Sequence, residues 1–387
     1  MSVSLTQKEN QAHALPPEVK TAEKAGHLLF LDGLRALAAL FVVMHHSWLE
    51  IWPSAYPPAA VRKWTGWLIF GHYAVALFIV LSGFSLMLSV VRNNGVLRGG
   101  MKTFFLKRAR RILPPYYFAL GISLLLCLTL IGKPTGTHWD ASVGFGKRDV
   151  LHHLLLMQDI LGAGAINHAF WSIAVECHYY LFFPLLVWSW RKFGGVPTTF
   201  VAFVISFIGM KKAHLPFMHP ALFPFFTLFA LGMLSAALCF SERPQWRKWR
   251  DNVPWLAVSL IMTLLAIKTH RSRFSDYADF PFGIACFALL VAVSRSPEGK
   301  IRAVLSWKPL AFLGGFSYSI YLIHAPLIQL FWQYVLHPLR LSDSVTFLLL
   351  EFIGTPLFVA VAYGFYWFCE RPFLTPALKR SAIAKGE

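Results

Sequence analysis

Apolar stretches close to 20 residues long recur from one end of this chain to the other, and no other feature limits its fold so tightly. A helix of about 20 apolar residues spans the hydrocarbon core of a bilayer. With no water there, the backbone can satisfy its hydrogen bonds only within a helix or a closed barrel. The buried strands of a large soluble α/β core are also apolar, but they come as runs of about 4–8 residues. Here the runs have helical length, with Lys and Arg gathered between them. Composition agrees: 56% of residues are hydrophobic, 14% are charged, and the mean hydropathy is +0.54. An ordinary soluble domain carries roughly a quarter charged residues. The sequence predicts an all-α, polytopic membrane protein of about ten transmembrane helices, each long enough to span or nearly span a bilayer. The expected spans are 29–49, 72–91, 112–132, 171–190, 197–210, 220–240, 254–267, 281–294, 310–333 and 344–368.

The net charge of +18 invites a nucleic-acid reading, but the placement of the charge says otherwise. With the N-terminus inside, the inner connections hold 24 Lys and Arg and the outer ones 11, and Arg35 lies within the first span. An excess of basic residues on one side sets orientation, so both termini are expected in the cytoplasm. The expected partner is the lipid bilayer of the cell membrane, with no nucleic acid. Residues 1–28 are polar, contain Pro16-Pro17, and read as a disordered cytoplasmic tail; 29–373 form the transmembrane domain, and 374–387 a second cytoplasmic tail. The first 28 residues lack the order of a cleaved signal peptide, so the first helix is expected to be an uncleaved anchor. Cys127, Cys177, Cys239, Cys286 and Cys369 are scattered, and the adjacent pairs His45-His46 and His152-His153 cannot face one another on a helix. No Cys/His spacing suggests a metal, and none is expected. The longest outer connection, 133–170, contains the semi-apolar stretch 150–161, a candidate interfacial helix. It is either a functional loop or a cover.

Ionisable side chains within a span cost free energy, and so face the bundle interior, where they mark a pathway or a site. In 31-LDGLRALAALFVVMHHSW-48, Arg35 and His46 are eleven residues apart, which leaves them about 20° from a common face and roughly 16 Å apart along the axis. His45 lies about 80° off that line. Arg35 would sit near the cytoplasmic entrance and His46 in the outer half, both within reach of one long ligand. A snorkelling arginine and an interfacial histidine describe the same residues without a ligand. The stretch 102-KTFFLKRARRILPPYY-117 gathers Lys107, Arg108, Arg110 and Arg111 at what reads as a helix N-terminus, where free N–H groups and guanidinium forks suit phosphate. A positive-inside anchor needs the same residues. In 170-FWSIAVECHYYLFFPLL-186, Glu176 lies about 1.5 turns inside the outer end, at the depth of His46, and needs a partner or a proton. In 312-FLGGFSYSIYLIHAPL-327, Ser317, Tyr321 and His324 share one face. There His324 is either functional or a satisfied core histidine.

These four segments resemble the acyltransferase-3 family of integral membrane O-acyltransferases. Arg35 and His46 match its LDGLR…H signature, and Arg108 and Arg111 its RxxR element, followed by Ile112 and Pro114. Trp171, Ser172, Glu176, Tyr180 and Pro184 resemble its WSL-x-x-E segment, and 316-FSYSIYLIH-324 its penultimate-helix motif. Glu370-Arg371-Pro372 looks like its ending. The departures are His178 and the doubled histidine at His45. The esterase-like C-terminal extension of some members is missing from this sequence, so transfer is expected to be completed by the membrane domain or handed on.

The resemblance implies transfer of an acyl group, often acetyl, from cytoplasmic acetyl-CoA to a hydroxyl of a carbohydrate or glycolipid, with acyl-CoA as donor substrate rather than a tightly bound cofactor. It implies that Arg108, Arg111 and Arg35 hold the donor. His46 would act as general base or transient acyl carrier, with Glu176 and Arg35 completing the catalytic set. Ser317, Tyr321, His324 and Trp171 would meet the acceptor. A secondary transporter is the alternative from another class, but the inverted repeats and matched broken helices common in that class are not visible.

Topology is open to direct measurement. In a background free of native cysteines, Ala141→Cys should react with a membrane-impermeant maleimide on intact cells, and Lys248→Cys only after permeabilisation. The reverse pattern would overturn the orientation read from the basic residues.

Overall fold

A computed structural model of the chain describes residues 28–162, 166–212, 218–240 and 244–374. The expected tails lie outside these residues, apart from Leu28 and Leu374. The described residues are helical and contain no strand. In chain order the helices are α1 (Leu29–Ile51), α2 (Ala59–Thr65), α3 (His72–Val91), α4 (Gly100–Thr129), α5 (Lys147–Leu154), α6 (Trp171–Phe193), α7 (Gly195–Lys212) and α8 (Pro224–Phe240). They continue with α9 (Pro244–Asn252), α10 (Trp255–His270), α11 (Asp279–Arg295), α12 (Lys300–Leu305), α13 (Lys308–Gly315), α14 (Ser317–Phe331), α15 (Asp343–Leu349) and α16 (Thr355–Phe365), joined by short 3-10 and π turns.

Each of the ten apolar stretches falls on helix. Among the described residues, six helical stretches can cross a membrane by length and composition, or up to eight if each of two sharply bent pairs counts as one span. The remaining two stretches fall short for physical reasons. α6 carries Glu176, His178, Arg191 and Lys192 within its 23 residues, and α7 is a shorter apolar helix.

α1 lies at the centre, packed against α3, α13 and α14. In lipid, apolar helices gain little from burying one another, so small residues that admit close backbone contact decide where they cross. At the N-terminal end of α1 a Cβ on Gly33 would stand 1.9 Å from the carbonyl oxygen of Leu305, and one on Gly314 would stand 2.0 Å from that of Asp32. This crossing fixes the height of Arg35, two residues beyond Gly33. α13 and α14 bend by 70° at their junction near Phe316, which starts a fresh helix at Ser317 within the bundle.

α4 corrects one expectation. It begins at Gly100, because 103-TFFL-106 is itself helical, so Arg108 and Arg111 sit two to three turns inside the helix rather than at its N-terminus. The long connection over 133–170 also does more than cover the bundle. Trp139, Ile166, Asn167 and Phe170 are buried, and the Asn167 amide donates to Ser123 Oγ on α4 (3.3 Å) and to the Leu322 carbonyl on α14 (3.2 Å). The interfacial helix expected over 150–161 is present as α5 but ends at Leu154.

Gly33→Ala and Gly314→Ala should each destabilise the fold by about 1–3 kcal/mol, because the added methyl meets backbone rather than a yielding side chain. Thermal unfolding in detergent checks this, with Gly364→Ala as the neutral control because its added methyl meets open space. Unchanged melting of both variants would show that α1 does not approach α12 and α13 this closely.

Candidate active site

A cavity of about 110 Å³ opens where α1, α3, α4, α6 and α14 meet. Arg35, Arg108 and Arg111 line it, together with Ser82, Ser85, Ser172, Glu176, Tyr180, Ser317, Tyr318 and Tyr321. Three guanidinium groups round one small space repel one another, and the protein offsets this only in part. Arg35 donates to Asp32 Oδ1 (3.1 Å) and to Ser85 Oγ (2.6 Å). Arg108 Nε is buried and has no hydrogen-bond partner. Leaving a buried charged donor unsatisfied costs more than a kcal/mol or so, and an anion in the cavity would remove that cost. The first turn of α14, whose N–H groups are unpaired within the helix, forms another wall at Ser317 and Tyr318.

On the opposite wall the Tyr180 hydroxyl donates to Glu176 Oε1, and so must itself accept from Ser82 Oγ (2.8 Å). Tyr321 closes another side. Its hydroxyl donates to the Ala169 carbonyl (2.9 Å) and receives Ser172 Oγ (2.7 Å).

Beyond Tyr321 lies a second group of side chains, all imidazoles. His324 Nδ1 is 2.7 Å from the Tyr321 carbonyl, which can only accept, so Nδ1 carries the proton. In the neutral ring His324 Nε2 is then an acceptor, and His46 Nδ1, 2.7 Å away, must donate to it. His46 is left with an unprotonated Nε2. The two rings stack with centroids 5.0 Å apart. His168 meets His46 edge-on at 4.7 Å and His138 lies parallel at 5.6 Å. Burial, together with the neighbouring His138, His324 and His45, holds His168 well below the usual imidazole range, and burial lowers His138 as well. Both loop imidazoles are therefore uncharged near neutral pH.

The structure sorts the expected site residues plainly. Arg35, Arg108, Arg111, Glu176, Ser317 and Tyr321 share the cavity. His46 and His324 pair with each other in the adjoining imidazole chamber. Ser317 faces the cavity while its hydroxyl bonds back to the Gly314 carbonyl (3.0 Å). Glu176 and His46 do not pair: the carboxylate goes to Tyr180, one turn on in the same helix, and the imidazole to His324. Trp171 is not on the cavity wall; it stacks on His219 at 3.8 Å. The two departures from the family pattern hold structural bonds. His45 Nδ1 donates to the Leu68 carbonyl (2.7 Å), and His178 pairs with Asp159 Oδ2 (3.0 Å). Sequence reasoning missed Ser82 and Ser85, polar positions in an otherwise apolar span, and missed His138 and His168 altogether.

A family profile described as "Acyltransferase domain" matches residues 28–367. The chain is 25% identical over 365 residues to the peptidoglycan O-acetyltransferase OatA of Listeria monocytogenes, covering 84% of this chain and 55% of that protein. It is 26% identical over 365 residues to the O-acetyltransferase OatA of Staphylococcus aureus, covering 87% of this chain and 56% of the relative. A putative acetyltransferase of Acidianus two-tailed virus is 26% identical over 303 residues, 75% of this chain and 80% of the viral protein. The chain thus spans about half the length of the two bacterial relatives. No solved structure matches it significantly.

If the arginine cavity holds the donor phosphates, Arg108→Ala should weaken acetyl-CoA binding roughly 10- to 150-fold, the worth of a charge-assisted contact of about 1.5–3 kcal/mol. Arg108→Lys should restore binding only in part, because an ammonium lacks the planar fork. Arg110→Ala, exposed and off the cavity wall, should bind like the parent in calorimetric titration. Equal affinity across all three variants would reduce Arg108 to a topology anchor.

Proposed function

Because the chain belongs to the acyltransferase domain family, we propose that this multi-pass membrane transferase moves an acetyl group from acetyl-CoA at the cytoplasmic face to a hydroxyl of an acceptor. The name of the Listeria relative points to a carbohydrate of the cell-wall class, free or lipid-linked, as that acceptor. One observation carries the reading. The relay from the Tyr321 carbonyl through His324 leaves His46 Nε2 as a bare, oriented base, one layer of side chains beyond a cavity lined by three arginines.

The CoA phosphates enter among Arg108, Arg111 and the first turn of α14, where Arg108 Nε awaits an acceptor. The pantetheine arm follows the Arg35 face of α1 and passes Tyr321, bringing the thioester to His46. The acceptor approaches from the side of His138 and His168. As its oxygen attacks the thioester carbonyl, His46 Nε2 takes the hydroxyl proton, the carbon–sulfur bond breaks, and CoA leaves as thiolate to be reprotonated. In a two-step route the same nitrogen takes the acyl group first. Both routes use one lone pair, and an imidazole can serve in either. His324 is a positioning residue: it fixes the tautomer of His46 and stabilises the ring as it gains positive charge. Glu176 acts on the donor side, holding Tyr180 and helping to balance the arginines.

His46→Ala should lower acetyl transfer by about 10²–10⁴-fold, the usual worth of a general base. His45→Ala should keep most activity, since its ring serves the Leu68 carbonyl. Turnover is compared at equal amounts of monodisperse protein in detergent, with acetylated glycans of a deletion strain and its parent compared by mass. A dead His45→Ala beside a His46→Ala of parental turnover would move the chemistry off His46.

A further inference from the structure

We propose that His46, His138 and His168 form a binding site for a divalent transition-metal ion of the Zn²⁺ class. One ligand nitrogen from each ring falls within 4.8 Å of the other two. The three come from separate parts of the chain. His46 is on α1, His138 opens a short 3-10 turn in the outer connection, and His168 stands at its far end, three residues before α6.

Their hydrogen bonding sets them up as ligands. A metal-binding imidazole coordinates through one nitrogen and donates its other N–H to a second-shell acceptor, which fixes tautomer and ring direction. His46 does this, donating Nδ1–H to His324 and leaving Nε2 bare. His168 Nε2 is buried and has no hydrogen-bond partner among the described residues. Its Nδ1 lies 3.1 Å from Ser142 Oγ, which also accepts the His168 backbone N–H at 3.1 Å; the tautomer protonated on Nδ1 donates to that hydroxyl and leaves Nε2 as the coordinating nitrogen. Packing alone gives no reason to point an unsatisfied nitrogen at two other imidazoles. An ion there would satisfy all three rings.

The ligand set selects the ion. Three neutral imidazoles suit Zn²⁺, Cu²⁺ or Ni²⁺ and are poor ligands for Mg²⁺ or Ca²⁺, which demand oxygen. Zinc–nitrogen bonds of about 2.0–2.1 Å require the nitrogens to draw together from their present spread. Two of the three stand on connecting segments, so His46 can keep its place while they close. Three protein ligands leave the fourth tetrahedral position open to water or to an incoming hydroxyl.

The site has a consequence that rests on the role proposed for His46. An ion on Nε2 occupies the lone pair needed to take the acceptor proton, so ion and acceptor compete, and outer-side Zn²⁺ inhibits transfer reversibly.

The test uses the full chain in detergent, stripped with a chelator. Calorimetry with Zn²⁺ alone should give one tight site per chain, and Co²⁺ alone should develop the visible absorption of a tetrahedral complex. His138→Ala and His168→Ala should each weaken Zn²⁺ binding by more than the roughly 10- to 100-fold typical of losing a second-shell contact. His138→Gln and His45→Ala serve as companions, the first to exclude loss of fold and the second expected to bind as the parent does. No binding, or binding indifferent to both alanine substitutions, overturns the site. Binding that leaves acetyl transfer uninhibited keeps the site and removes His46 from the chemistry instead.

Discussion

The hydrogen bond from His46 to His324 is the contact on which the proposed mechanism turns. An imidazole has two nitrogens, and when one is committed as a donor the other must hold the lone pair. The direction of the commitment is set by the Tyr321 carbonyl, a backbone group that cannot donate, through His324 Nδ1. A backbone oxygen of α14 therefore decides which nitrogen of an α1 side chain can act as base. The bond exists because α1 and α14 pack together, and α14 begins afresh at Ser317 after the bend that follows Gly314. The closest approach of α1 to its neighbours is at Gly33 and Gly314. Helix crossing, helix break and proton position form one chain of cause.

The two halves of the site solve opposite electrostatic problems. The cavity gathers positive charge, with three guanidinium groups and few carboxylates, so it is stabilised by whatever anion enters. Asp32 holds Arg35 in place, while Arg108 keeps a nitrogen unsatisfied. The imidazole chamber gathers groups that can stay neutral in a buried place and still exchange a proton. Tyr321 stands between the two, facing the cavity with its hydroxyl and steering the chamber with its carbonyl. The connection between α4 and α6 completes the chamber: the buried side chains of Trp139, Ile166, Asn167 and Phe170 pin the segments that carry His138 and His168.

Much of this was legible in the sequence, and the remainder was hidden for physical reasons. Apolar runs place helices well, because their length is imposed by the bilayer; all ten expected stretches are helical. Whether each crosses the membrane depends on polar content, and α6 shows how a cavity-lining carboxylate lowers the apolarity that would have marked it as a span. Ionisable residues in spans led to Arg35, Glu176, Tyr321 and His324, since such residues are costly unless they face the interior. Helix-face geometry also separated His46 from His45, and the two rings do go to different partners. Depth alone put Glu176 level with His46 and named no partner; the partner is Tyr180, four residues on, where a helix puts a neighbour. The start of α4 was misplaced because apolar content marks only the stretch suited to lipid, while the helix runs on through the basic residues before it, back to Gly100. His138 and His168 lie in a connection without periodicity, and only tertiary structure could bring them to His46.

Sidedness and chemistry can be read together in purified protein reconstituted into sealed vesicles of known orientation, with labelled acetyl-CoA on the side of Lys248 and a carbohydrate acceptor on the side of Ala141. The account predicts O-linked label on the acceptor across the intact bilayer, without an imposed membrane potential, and none with His46→Ala. Label that appears only when donor and acceptor share a compartment, or that persists in His46→Ala, would contradict it.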